Sequence, residues 1–115
     1  MDRAAELAEL LAVADVKATD DIAKAASIAP GILVVPVPTL TPETMTAWEA
    51  EWSIVCLTKQ PANKVATARL HELVEHVESV LPGEGIVWTA DAYQVTSEGV
   101  ALPAYIGTFR ELIEI

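Results

Sequence analysis

The chain has 115 residues, 52% of them hydrophobic, and a formal net charge of −10 from 17 acidic and 7 basic residues. This length predicts a single domain over residues 1–115, and the apolar content is ample for a core and excludes global disorder. The charge repels nucleic acid and anionic membranes at long range, and the 7 cations are scattered rather than gathered into a basic patch.

The single cysteine, Cys56, lies in an apolar run and reads as a small buried hydrophobe. It has no partner for an intrachain disulfide and no companions for a cysteine zinc site, so a reducing compartment is expected. Glu6 and Glu9 interrupt the first Ala/Leu run, which is unlike a secretory signal. No stretch approaches the roughly 18 apolar residues of a membrane span, and a soluble protein without a membrane partner is expected.

Residues 2–14 predict a helix: Ala4, Leu7, Leu11 and Ala14 recur at steps of three and four, and Asp2 is placed to cap its start. Residues 15–29 are ambiguous between a loop and a short helix over 22–26 capped from Thr19-Asp20-Asp21. Pro30-Gly31 breaks whatever precedes it. Residues 32–37 are β-branched but hold Pro36, with Pro38 just beyond, and predict an edge strand or one that ends early. Residues 38–46 are polar, contain proline and lack periodicity, which predicts a surface loop.

The most informative stretch is 46–58. Trp48, Ala50, Trp52, Ile54 and Cys56 alternate with Glu49, Glu51 and Ser53, the period of a strand with one buried and one wet face. Asn63 is a plausible cap for a helix running to Val80, with Ala66, Leu70, Leu73, Val77 and Val80 as its apolar stripe and Glu72, Glu75 and Glu78 on the wet side. Residues 81–85 terminate it. Strands follow over 86–96 and 102–115, joined by a turn at Ser97-Glu98-Gly99. In the last strand Tyr105, Gly107, Phe109 and Glu111 share one face, and Ile106, Thr108, Arg110 and Leu112 the other. The resulting expectation is an α+β fold: an antiparallel four-stranded sheet with helices packed on one face. Trp48, Trp52, Ile54, Leu70, Leu73 and Val77 are its expected core anchors.

Catalytic patterns are sparse. His71 and His76 are five apart, about 140° around a helix, and cannot share a metal as a spacing of four allows. Ser53 and Ser79 lack a nucleophile-elbow context. Gly83 and Gly85 follow a helix and precede a strand, the reverse of a phosphate cradle. Glu49 and Glu51 share a strand face about 7 Å apart. With Asp91 they form the one carboxylate set open to a divalent-metal enzyme, but a solvated sheet face is the ordinary reading of such residues, and no His, Lys or Arg accompanies the pair within its own element. No catalytic residue, cofactor or metal ligand is therefore assigned.

The order of elements, with Ile32-Leu-Val-Val-Pro, the Pro/Thr-rich segment, the Trp48 strand ending in Cys56-Leu57, the long helix and a last strand opening Leu102-Pro103-Ala104-Tyr105, resembles the small tail terminator proteins of long-tailed actinobacteriophages. The resemblance spans essentially the whole chain. It implies a non-enzymatic virion protein assembled in the bacterial host cytoplasm: a homo-hexameric ring at the head-proximal end of the tail tube. Its partners are then other copies of itself, the major tail tube protein and a head-completion or connector protein. DNA passes through the lumen without specific binding. On that reading Glu49, Glu51 and Asp91 belong to an acidic lumen or rim that repels phosphate. The competing expectations are another head–tail connector or minor tail protein, a small acidic binding or adaptor module, and the metal-dependent enzyme.

Overall fold

The computed structural model of the chain describes residues 3–13, 16–24, 28, 30–58, 64–81, 86–94 and 101–114. Within them are two α-helices, α1 (Arg3–Leu11) and α2 (Lys64–Val80), and the strands β1 (Ala18–Thr19), β2 (Gly31–Val34), β3 (Thr39–Pro42), β4 (Ala47–Leu57), β5 (Trp88–Gln94) and β6 (Ala101–Glu114). A single 3-10 turn, Ile22–Lys24, stands where a short helix was the alternative to a loop. It is capped by Asp21, whose Oδ1 accepts from the Ala23 N–H at 2.9 Å. The turn at 97–99 lies outside the described residues.

The fold is mixed α/β. Its sheet has six strands rather than four, in the order β1-β2-β4-β6-β5, with β3 also paired to β4. All pairings are antiparallel except β1 with β2. Two expectations are corrected here. The Ile32 strand does end early, at Val34, but it is no edge: β1 and β4 flank it. The segment expected to be a loop contains a strand, with Thr39, Leu40, Thr41 and Pro42 opposite Glu51, Ala50, Glu49 and Trp48.

Both corrections have one cause. β4 is 11 residues long, and β2 and β3 lie end to end along the same side of it. Between the pairs Val34–Ile54 and Thr39–Glu51, the four residues 35–38 face only Trp52 and Ser53, so the chain bulges outward. Pro36 and Pro38 sit in that bulge, where no ladder donor is needed. Pro42 is tolerated for a related reason. Glu43 N–H donates to Ala47 C=O at 3.1 Å, which makes 43 and 47 a hydrogen-bonded pair. Pro42, one residue away, therefore turns its missing N–H outward. Pro103 lies inside β6 but opposite Thr58, just past the end of β4, and there it only accepts, from Thr58 N–H at 3.1 Å.

Both helices cover the face of β4 that carries Ala50, Trp52, Ile54 and Cys56. Ala4, Leu7, Ala8 and Leu11 of α1 and Leu70, Leu73 and Val77 of α2 meet those strand residues, with Ile32, Val34 and Phe109, in one buried cluster. Trp52, Ile54, Leu70, Leu73 and Val77 are the core anchors expected. Trp48 is not: it is half-buried at the margin, opposite Ile113. The opposite face is wet only along part of its length. Leu33, Val55, Leu57, Leu102 and Ala104 form a second buried cluster there, which the uninterrupted run Ile54-Val-Cys-Leu57 reflects.

Polar contacts tie the helices down. Leu11 C=O lies in the last turn of α1, where carbonyls lack helical partners. It accepts from His76 Nε2 of α2 at 2.8 Å, so this histidine is a half-buried cap rather than a solvated surface residue. Arg3 grips Glu111 of β6 with two prongs, Nε to Oε1 at 2.8 Å and Nη2 to Oε2 at 2.9 Å, and also reaches Glu6 at 3.1 Å. The hydrogen bond to Glu111 is the largest cause of a guanidinium pKa raised further above its already high ordinary value.

Candidate functional site

The alternation of β4 places Glu49 and Glu51 on the sheet face away from the helices, as expected. Their cross-strand neighbours on β6 are Leu112 and Arg110. Arg110 Nε lies 3.1 Å from Glu51 Oε1 and 3.7 Å from Glu49 Oε1. The pair is thus bridged by a cation that the neighbouring strand supplies, its own element holding none. The strip Glu49–Arg110–Glu51 carries a local charge of about −1 rather than −2, and Arg110 itself is largely exposed, at 65% of its side chain. Exposed ion pairs of this kind are worth about 0–1 kcal/mol and weaken in salt.

Asp91 does not join them. It is on the same sheet face, because its partner Ala104 shares that face with Leu57, but it lies on the far side of β6. Ala104 and Arg110 are six residues apart along β6, about 20 Å. The three carboxylates expected to act together are two and one, and among the described residues no group of three or more His, Cys, Asp or Glu is placed to hold a metal ion.

β3, the β3–β4 turn and the strand ends beside them form one end of the sheet, an arm that α1 still covers in part: Ala50 is fully buried and Arg3 reaches Glu111. All four residues of β3 are exposed. Leu40 is 47% exposed, Leu112 67% and Met45, in the β3–β4 turn, 99%. Leu40, opposite Ala50, is on the helix-covered face and Leu112, opposite Glu49, on the other, so aliphatic side chains are exposed on both faces of the arm. The molecule is long, 47 × 30 × 25 Å.

A second surface lies at the other edge of the sheet. Among the described residues β5 pairs only with β6, and Trp88 stands opposite Gly107. A Cβ on Gly107 would lie 2.8 Å from the Trp88 ring and 2.6 Å from Ile86 Cγ2, so the missing side chain is what lets the indole lie across the strand. The indole Nε1 then donates to Glu78 of α2 at 2.9 Å. One turn pair earlier, His71 of α2 stands 5.7 Å from the ring of Tyr105, with their polar atoms 3.4 Å apart. Sequence periodicity did place Glu78 on the wet side of its helix, and Trp88 and Gly107 on strands. Their conjunction needs the β5–β6 register, which no local pattern carries.

Two buried groups complete the inventory. Burial pushes the Cys56 thiol up to about 12, so it is an inert packing residue at neutral pH. The Trp52 Nε1 donor finds no acceptor among the described residues although the side chain is buried.

Comparison of the chain with protein-family models, with curated proteins and with solved structures gives no match.

Proposed function

We propose that this chain is a non-enzymatic assembly protein of a phage virion, a tail terminator that closes into a homo-hexameric ring on the head-proximal end of the tail tube and meets the head-completion proteins above it. The observation that supports this reading most is the arm built from β3, the first half of β4 and the end of β6. It leaves Leu40, Met45 and Leu112 in water at one end of the sheet. Contacts between unlike surfaces that close on themselves generate rings, and an exposed strand end bearing apolar side chains is suited to meet a neighbouring copy.

In this reading the Glu49–Arg110–Glu51 strip faces the bore or its rim, and Asp91 lies apart from it. A strip near −1 is still unattractive to phosphate, while the overall charge of −10 supplies most of the repulsion. DNA then crosses the ring without specific binding. The test is the mass of the purified protein in native mass spectrometry, with class averages from negative-stain images: six-fold rings support the reading, and monomers at tens of micromolar contradict it.

A further inference from the structure

We propose that the free edge of β5, with the α2 stripe beside it, is a docking site for an extended, cationic segment of another protein, bound by strand addition.

Thr58 N–H donates to Pro103 C=O, which fixes 58 and 103 as a hydrogen-bonded pair in the β4–β6 register. The odd residues of β6 therefore turn their backbone groups to β4, and Leu102, Ala104 and Ile106 turn theirs to β5. Their partners are Tyr93, Asp91 and Thr89. Trp88, Ala90, Ala92 and Gln94 consequently direct N–H and C=O outward, and among the described residues no strand takes them up. Proteins usually blunt such an edge with proline, lysine or a bulge. β3 follows that practice with Pro42, whereas the seven residues of β5 hold neither proline nor lysine. An edge of this kind is the template on which peptides add as a strand.

The side chains indicate what adds. Trp88 and Ala90 lie on the helix-covered face, opposite Gly107 and Tyr105. Contacts from Glu78 to Trp88 and from His71 to Tyr105 set one stripe of α2 above that face. Glu75 belongs to the same stripe, at i+4 from His71, and Glu75 and Glu78 are both exposed. A strand laid on β5 would meet aromatic surface below and a carboxylate wall beside it. The fitting occupant alternates apolar and cationic side chains. A second copy of this chain fits poorly, since Arg110 is the one cation in its described strands. The site does not rest on the ring reading, which concerns the opposite end of the sheet.

The probe is a short synthetic peptide of alternating lysine and valine, titrated onto the full chain by calorimetry, with an alternating glutamate–valine peptide as its counterpart. The cationic peptide should bind saturably, and Glu75→Lys should weaken it about tenfold, equivalent to roughly 1.4 kcal/mol. Ala90→Pro removes an outward donor while leaving the β5–β6 ladder intact, and should also weaken binding about tenfold. A readout independent of any variant comes from the peptide: N-methylation of one alternate set of residues should abolish binding, and of the other set should leave it. Equal binding of the acidic peptide, equal loss from both N-methyl sets, or no binding would overturn the proposal. So would a shift of the free protein from oligomer to monomer on Ala90→Pro, because the occupant of β5 would then be a second copy.

Discussion

Arg110 of β6 stands between Glu49 and Glu51 of β4, its Nε 3.1 Å from the second carboxylate and 3.7 Å from the first. The three residues form one charge-alternating strip across two strands, and the strip depends on the register that pairs Arg110 with Glu51. Arg110→Ala leaves two like charges on one strand face about 7 Å apart. Because the groups are exposed, the loss of stability should stay below about 1 kcal/mol and shrink further in 1 M salt. Urea denaturation at low and high salt measures it. Glu49→Lys with Glu51→Lys should likewise leave the fold intact, with circular dichroism as the check.

Leu73 and Trp52 meet in the core between α2 and β4, and both are buried, at 0% and 4% exposure. Leu73→Ala and Trp52→Ala should each cost about 2–5 kcal/mol. Equilibrium unfolding tests this, and a loss under about 0.5 kcal/mol at both sites would contradict the face assignment.

Gly107 has no room for a methyl group beneath the Trp88 ring. Gly107→Ala should destabilise by about 1–3 kcal/mol. In a Trp88→Ala background the same substitution should cost less, because one of the clashing groups is gone. The difference between the two measurements is the coupling.

The Cys56 thiol has a folded-state pKa of about 12 against an ordinary 9.0. Above the ordinary value the unfolded chain loses this proton while the folded chain keeps it. The stability contributed is therefore full below pH 9.0, falls as pH rises, and is gone by about pH 12. Cys56→Ala should flatten that part of the stability–pH curve, and the native thiol should resist alkylation at pH 8.

Much of the fold was legible in local pattern. The alternation from Trp48 to Cys56, the stripe from Leu70 to Val77 and the spacing of Ala4, Leu7 and Leu11 each gave an element near its observed bounds. β3 was hidden because Pro38 and Pro42 suppress strand propensity, while its pairing is supplied by the length of β4. The companion cation of Glu49 and Glu51 was hidden for a different reason. Periodicity assigned Arg110 to a face, but not to a position along it, and only the β4–β6 register brings it to Glu51. The same holds for the grip of Arg3 on Glu111, which joins residues 108 apart in the chain. His76 shows the limit from the helix side: its position on the wheel is borderline, and its role as a cap depends on where α1 ends.

The most direct measurement of the assembly proposal is the mass of the native protein in solution, taken by light scattering across a concentration series at low and high salt. The account predicts a closed species of six chains of 12.3 kDa each, more populated at high salt as repulsion between copies is screened. It also predicts that Leu40→Lys with Met45→Lys on the arm yields folded monomers. A wild-type protein that stays monomeric at every concentration and salt, or a ring indifferent to both arm substitutions, would contradict it.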